Sequence, residues 1–125
     1  MGGQYNHLIY RRLIEIGVKA RLINYSLVNR EMLRDVDAIV LGGGPQSLCN
    51  EEYRNSSSGL AEIIVKTDRP VLGICLSHHL IAYAFKGVVG KADKPEYGEV
   101  EISVIDEDVL FDGLPKNSLY GSPQR

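Results

Sequence analysis

The segment from Gly73 to His79 combines the residue types and the position that a nucleophilic thiol requires. Cys75 stands between the apolar run of residues 70–74, which predicts a strand, and residues 76–85, whose apolar positions predict a helix. The first N–H groups of a helix are unpaired and its dipole is positive there, so a thiolate at this junction is stabilised and becomes nucleophilic. The alternative is a buried structural cysteine, and this segment alone supports the two interpretations about equally.

The turn around Cys75 also has the small residues that a nucleophile elbow needs. Such a sharp turn requires a small residue two positions on either side of the nucleophile, and Gly73 and Ser77 fill those positions. The backbone N–H of Leu76, the residue after the thiol, is then placed to bind an oxyanion.

A second candidate segment is a glycine run that ends at Pro45 and follows the apolar residues 38–41. Ligands of open α/β sheets bind beyond the carboxyl ends of the strands, which is where both segments lie. A glycine turn exposes backbone N–H groups, so Gly44 is a candidate for a second oxyanion donor. Alone, these residues favour a plain Gly-Pro turn. Neither a G-x-G-x-x-G pattern nor a Walker A lysine follows, so a nucleotide-binding loop is not predicted.

Helix-like and strand-like segments alternate along the chain, which predicts an α/β fold with a mostly parallel sheet flanked by helices. The predicted helices are residues 5–16, which Gly17 ends, residues 29–33, which Asn29 caps, residues 60–67 and residues 76–85. The predicted strands are residues 20–25, 38–41, 70–74 and 100–105. Helices cover both faces of a parallel sheet, so residues 38–41 and 70–74 are expected to be fully buried. The serine-rich residues 55–59 are predicted to form a loop.

The bulk properties exclude several classes of function. The chain has 125 residues, enough for one modest domain. Its net charge is −2 and its basic residues are scattered, so a nucleic-acid partner is not expected. No apolar run approaches the roughly 20 residues of a membrane helix, and no signal peptide opens the chain. Cys49 has no second ligand nearby, so we expect no metal, and two free thiols indicate a cytoplasmic protein.

Together these segments resemble the class I glutamine amidotransferases. Gly73-Ile74-Cys75-Leu76 followed by His78 is similar to their nucleophile motif G-I-C-x-G-H-Q, and residues 43–45 are similar to the oxyanion loop S-G-G-P. Three further segments are most like the glutaminase part of the GMP synthetase branch, namely residues 2–5, 96–98 and 111–115. The resemblance covers nearly all of the chain and implies a flavodoxin-like fold that is incomplete.

The resemblance also implies a reaction and its partners. Cys75 would attack the side-chain carboxamide of L-glutamine, and the N–H groups of Gly44 and Leu76 would hold the oxyanion, with Gly43 in the same loop. The ammonia released would pass to an ATP pyrophosphatase (synthetase) subunit or domain, which aminates XMP to GMP in guanine nucleotide biosynthesis. This part would need no cofactor, since ATP and Mg are used by the synthetase part.

Two differences from the family pattern concern the ends of the chain. In the family an apolar strand precedes the G-G-Q-Y segment, and the general base is a His in a downstream H-P-E motif; neither stands in this sequence. We therefore expect residues 1–125 to be a partial glutamine amidotransferase domain that lacks its first strand and its C-terminal His/Glu region. Residues 20–25 and 38–41 would then lack a common neighbour strand, which predicts marginal stability for the chain alone.

Other differences lie inside the motifs. Ser77 stands for a Gly, and His79 stands for a Gln that helps to bind the substrate, so the resemblance assigns His79 to substrate binding. Near the end of the chain, Tyr120 and Pro123 stand where the family motif V-W-x-S-H has Trp and His.

The missing base leaves two questions open. His78 and His79 lie within one turn of Cys75 on the same predicted helix, and we weigh a base role for His78 at about one to four, since geometry decides such pairs. An alternative function is a catalytically inactive amidotransferase-like fragment that acts, if at all, as a binding partner.

Overall fold

The structure, a computed structural model, describes residues 5–94 and 98–121, with the backbone alone for residues 118–121. The chain divides into two compact units, Met1–Gly90 and Lys91–Arg125. The helices and strands described in the first unit are α1 (Asn6–Glu15), β1 (Ile39–Leu41), α2 (Glu51–Ser56), α3 (Ser58–Lys66), β2 (Val71–Gly73) and α4 (Leu76–Ala84). Short 3₁₀ turns at Tyr25–Leu27 and Met32–Asp35 precede β1.

The predicted parallel pairing of strands is found in the first unit. β1 lies parallel to β2, with Ile39 opposite Val71 and Leu41 opposite Gly73. The N–H of Ile74 donates to the carbonyl of Leu41 at 3.0 Å, so the two strands end side by side. The segments that follow them, the glycine run and the Cys75 turn, therefore leave the sheet from the same edge.

Local signals set the helix boundaries. α1 ends before Gly17, whose φ of +86° suits a residue without a side chain. The N–H groups of Gly17 and Val18 close this end by donating to the carbonyls of Ile14 and Leu13. Asn29 accepts a hydrogen bond from the N–H of Met32 at 2.9 Å, so the predicted cap is confirmed, although the turn that follows is 3₁₀.

A small apolar core joins α2, α3 and α4. Its buried members are Leu48, Tyr53, Leu60, Ile64, Leu76 and Leu80. Leu76 is the first residue of α4, so burial of its side chain fixes the start of the helix that follows the thiol. Full burial of one leucine stabilises a fold by roughly 1.5–3 kcal/mol.

The Tyr53 hydroxyl in this core has no hydrogen-bond partner within the described residues. Burial, with a smaller contribution from the nearby Tyr25, raises the pKa of Tyr53 to about 12. The phenol is therefore neutral throughout the physiological range.

The expectation that both parallel strands are fully buried is wrong. Leu72 in β2 is 42% exposed, and the β1 residues are only half-buried. Gly73 faces α4, because a β-carbon built on it would lie 2.6 Å from the Ile81 Cδ1 atom. Side chains alternate along a strand, so Leu72 and Ile74 point to the opposite face. No described helix buries that face of β2.

The predicted strand at residues 20–25 is also absent from the described structure. Ala20, Ile23 and Val40 line one cavity of about 190 Å³ beside β1, so an opening separates this segment from the strand. An extended segment becomes a strand only by pairing its backbone with a neighbour, and β2 is the one described neighbour of β1. Apolar composition alone did not reveal this lack of a partner.

The serine-rich residues 55–59 are not a loop. They span the junction of α2 and α3, where Ser57 is 1% exposed and its hydroxyl donates to the carbonyl of Tyr53 at 2.8 Å. Serine hydroxyls satisfied by a carbonyl in the preceding turn are compatible with helical backbone. Composition therefore predicted the wrong structure at this junction.

The second unit contains β3 (Glu99–Ser103), α5 (Asp108–Phe111) and β4 (Asn117–Gly121). β3 confirms the strand predicted around residues 100–105, and its residues alternate between exposed and half-buried. It pairs in antiparallel fashion with β4, with Glu99 opposite Gly121. Sequence patterns did not predict β4.

Candidate active site

Cys75 occupies a strained turn between β2 and α4. It is the residue immediately before α4 and has φ 58° and ψ −120°, outside the regions that residues with a side chain favour. Such a backbone costs roughly 1–3 kcal/mol and is concentrated at functional sites. The thiol is free and exposed. The turn predicted from the sequence is thus present, and it presents the sulfur to solvent.

Two glycines allow the backbone to approach this turn closely. A β-carbon on Gly43 would lie 3.1 Å from the Cys75 Cβ atom and 3.6 Å from its Sγ atom. A β-carbon on Gly73 would lie 2.8 Å from the carbonyl oxygen of Ser77. The structure therefore brings the glycine run beside the thiol, and glycine is the residue that fits both positions.

The two residues predicted to supply oxyanion donors also lie together. A β-carbon on Gly44 would be 3.5 Å from the Leu76 Cδ2 atom. Within the described residues, neither the N–H of Gly44 nor that of Leu76 donates a hydrogen bond. Both donors are thus available to an oxygen atom placed near the thiol.

Two side chains that sequence reasoning did not select hold the glycine run. The Ser77 hydroxyl donates to the carbonyl of Gly42, and the Asn6 side-chain amide donates to the carbonyl of Gly43 at 3.4 Å. These contacts join α4 and α1 to the loop after β1. Ser77 was selected only as a small residue; a hydroxyl in the first turn of a helix is the one local signal for such a contact.

The histidines after Cys75 form a pair. The rings of His78 and His79 meet edge to face, with their centroids 5.9 Å apart. His78 is exposed and His79 is half-buried. Within the described residues neither side chain hydrogen-bonds to the thiol, so the site gives no support to a base role for His78. The substrate-binding role of His79 stays a prediction.

Other candidate features lie apart from this geometry. Cys49 is free and exposed in a turn before α2, and its N–H donates to the Ser47 hydroxyl at 3.2 Å. In the described part of the chain there is no group of three or more potential metal ligands. No helix described here has the length and apolar character needed to cross a membrane. Residues 2–4, 96–97 and 123 of the family-like segments lie outside the described residues.

Comparison with known proteins identifies the family. Residues 1–122 match the family described as "Glutamine amidotransferase class-I". The chain belongs to this family, which accounts for the thiol turn, the glycine run and the parallel strands that bring them together.

Individual relatives narrow the similarity. The chain is 44% identical over 113 residues to a glutamine-hydrolysing subunit of GMP synthase from Sulfurisphaera tokodaii, a match that covers 90% of this chain and 58% of that protein. It is 41% identical over 115 residues to the protein of the same name from Archaeoglobus fulgidus, with 91% and 58% coverage. The chain thus spans less than two thirds of the length of these relatives.

A solved structure supports the fold class. A protein from Thermoplasma acidophilum, described as belonging to GMP synthase, superposes with a TM-score of 0.85 and 30% sequence identity. The match covers 98% of this chain and 60% of that one. The predicted α/β class, with a parallel sheet flanked by helices, is confirmed.

Proposed function

We propose that this chain carries the nucleophile and the oxyanion donors of a glutaminase, which releases ammonia from glutamine for the amination of XMP to GMP. The observation that supports this most strongly is the strained Cys75 turn with Gly43 against it. The relatives described as glutamine-hydrolysing subunits of GMP synthase support the destination of the ammonia.

The reaction begins with attack by the Cys75 sulfur on the carboxamide carbon of glutamine. The C–N bond then breaks, and the proton of the thiol leaves on the nitrogen as ammonia. A thioester between Cys75 and the glutamyl group remains. Water attacks this thioester, glutamate is released, and the thiol regains its proton.

The negative oxygen of each tetrahedral intermediate would lie between the N–H groups of Gly44 and Leu76. Each such donor contributes because it is already oriented when charge develops, and removal of one typically lowers kcat by about 10²–10³-fold. His79, at the position where the family has a substrate-binding glutamine, would contact the substrate.

The remaining parts of the activity belong to a partner. An ATP pyrophosphatase subunit or domain would bind ATP and Mg and would receive the ammonia, so this chain would hold no cofactor of its own. Both parts would act in the cytoplasm. The alternative of an inactive binding fragment has less support, because a binding role does not require a strained, exposed thiol beside unpaired N–H groups.

Glutamate release tests the proposal. The protein as its gene encodes it, together with its synthetase part, should release glutamate from glutamine in stoichiometric amounts with ammonia. Cys75→Ala should abolish release, whereas Cys49→Ala should leave it unchanged. Activity that survives Cys75→Ala would contradict the proposed nucleophile, and no glutamate release by the unmodified protein would favour the binding fragment.

The synthetase step is tested separately. With XMP, ATP and Mg present, glutamine should support formation of GMP, and Cys75→Ala should make the reaction depend on added ammonia. Failure of added ammonia to rescue GMP formation would show that the proposed partner is wrong while leaving the glutaminase proposal intact.

A further inference from the structure

We propose that Ser77 is a positioning residue for the Cys75 reaction, because its hydroxyl holds the glycine run in register with the thiol. The inference rests on the proposed glutaminase function and goes beyond it by assigning a residue outside the nucleophile and the oxyanion donors. Ser77 lies two residues after the thiol, in the first turn of α4.

The contact is buried and joins two distant segments. Ser77 is 0% exposed, and its hydroxyl donates to the carbonyl of Gly42, 35 residues earlier in the chain. One partner belongs to the helix that follows the nucleophile, and the other is the first residue after β1. The hydrogen bond therefore crosses the site between the two elements that form it.

The planarity of the peptide bond extends the effect of this contact. The Gly42 carbonyl and the Gly43 N–H belong to one rigid peptide unit, so a fixed carbonyl also fixes the direction of that N–H. The same unit sets the position of Gly43, whose missing side chain leaves room for the Cys75 Cβ atom. Gly44, the proposed oxyanion donor, follows directly in the chain.

Asn6 is a weaker support of the same loop. Its amide reaches the carbonyl of Gly43 at 3.4 Å, beyond the usual range of about 2.7–3.2 Å for such hydrogen bonds. Asn6 is half-buried on α1, whereas Ser77 is fully buried on the nucleophile helix. The position of the loop relative to the thiol therefore depends mainly on Ser77.

Loss of the hydroxyl should let the loop move while the thiol stays in place. A misplacement of about 1 Å in an active site lowers the rate by roughly 10²-fold. We expect Ser77→Ala to lower kcat roughly ten- to hundredfold with a much smaller change in KM, because the lost interaction acts on the transition state.

A ratio of two reactions of the same sulfur separates positioning from simple damage. Acylation of Cys75 by glutamine requires the oxyanion donors, whereas alkylation by iodoacetamide does not. Ser77→Ala should therefore slow acylation by about the same factor as kcat, with alkylation changed less than about twofold. Both rates are measured by rapid acid quench and mass spectrometry of the Cys75 peptide.

Ser57 provides a matched control. Ser57 is 1% exposed and its hydroxyl also donates to a backbone carbonyl, that of Tyr53, but it lies between α2 and α3 rather than beside the loop. Ser57→Ala should lower the thermal midpoint by an amount similar to Ser77→Ala and leave the ratio of acylation to alkylation unchanged.

Two further variants complete the test. Ser77→Gly, which also lacks the hydroxyl, should reproduce the effect of Ser77→Ala, and Ser77→Thr, which keeps the hydroxyl, should recover most of the acylation rate. An unchanged ratio in both hydroxyl-free variants, or an equal fall in acylation and alkylation, would overturn the inference. Because the unmodified protein must first release glutamate in a Cys75-dependent manner, failure of the glutaminase proposal itself is recognised independently.

Discussion

The two ends of α4 place a residue with a side chain at positive φ, for different physical reasons. At the C-terminal end, Lys86 has φ 64°, and the N–H groups of Lys86 and Gly87 donate to the carbonyls of Tyr83 and Ala82. These bonds satisfy carbonyls that the helix would otherwise leave unpaired. At the N-terminal end, Cys75 has φ 58° and its side chain makes no capping hydrogen bond. Strain at Lys86 accompanies helix termination, whereas strain at Cys75 presents a thiol.

The largest expected effect comes from exchange of the strained cysteine for glycine. Cys75→Gly should lower glutamate release by about 10⁴-fold or more, since the nucleophile is gone. The same change should raise the free energy of unfolding by up to about 1 kcal/mol, because glycine adopts positive φ without a steric penalty. Enzyme assays and urea melts of the same preparations would check both. A less stable Cys75→Gly protein would show that the turn is not strained.

The next effect concerns the close approach of the glycine run to the thiol. Gly43→Ala places a β-carbon 3.1 Å from the Cys75 Cβ atom, so one of the two backbones must shift. We expect a fall in kcat of roughly 10²-fold, measured as glutamate release.

Gly59 is the matched control for this change. A β-carbon on Gly59, within α3, meets no atom within 4 Å. Gly59→Ala should leave kcat unchanged and stabilise the protein by about 0.5–1 kcal/mol. Equal activity in the two alanine variants would remove the evidence for a functional loop at Gly43.

A smaller effect distinguishes the two cysteines, which are both exposed and free. Cys75 precedes a nine-residue helix, whereas Cys49 lies in a turn. A helix N-terminus stabilises a nearby anion by up to about 1 kcal/mol at an exposed site, which corresponds to roughly fivefold more thiolate. Iodoacetamide labelling across pH, followed by mass spectrometry, should show faster reaction at Cys75 below neutral pH. Faster labelling of Cys49 would contradict an activated turn.

The smallest effect is expected at the other end of α4. Lys86→Gly should raise the free energy of unfolding by about 0.5–1 kcal/mol, because the position needs positive φ. Glutamate release should not change, because strain at this end presents no reactive group. Thermal melts and activity assays would check this pair of results. Reduced activity would mean that the strain at the two ends of the helix is coupled.

Sequence patterns were sufficient where the signal is local. Gly17 ends α1, apolar runs mark β1 and β2, and the small residues around Cys75 predict its turn. Each of these features depends on a few neighbouring residues, whose backbone preferences act wherever the segment lies in the fold.

Features that depend on distant partners were not predictable in the same way. The exposure of Leu72 depends on what covers β2, and residues 20–25 fail to form a strand for want of a hydrogen-bonded neighbour. The hydrogen bond from Ser77 to Gly42 spans 35 residues, and no local pattern encodes it. At the site, sequence therefore identified the thiol and its candidate donors but not the side chains that hold them together.

The central claim is that Cys75 forms the covalent intermediate with glutamine. The protein as its gene encodes it would be mixed with glutamine, quenched in acid within milliseconds and digested for mass spectrometry. The account predicts a glutamyl thioester on the peptide that contains Cys75 and none on the peptide that contains Cys49. A thioester on Cys49, or continued glutamate release with no modified Cys75 peptide at any quench time, would contradict it.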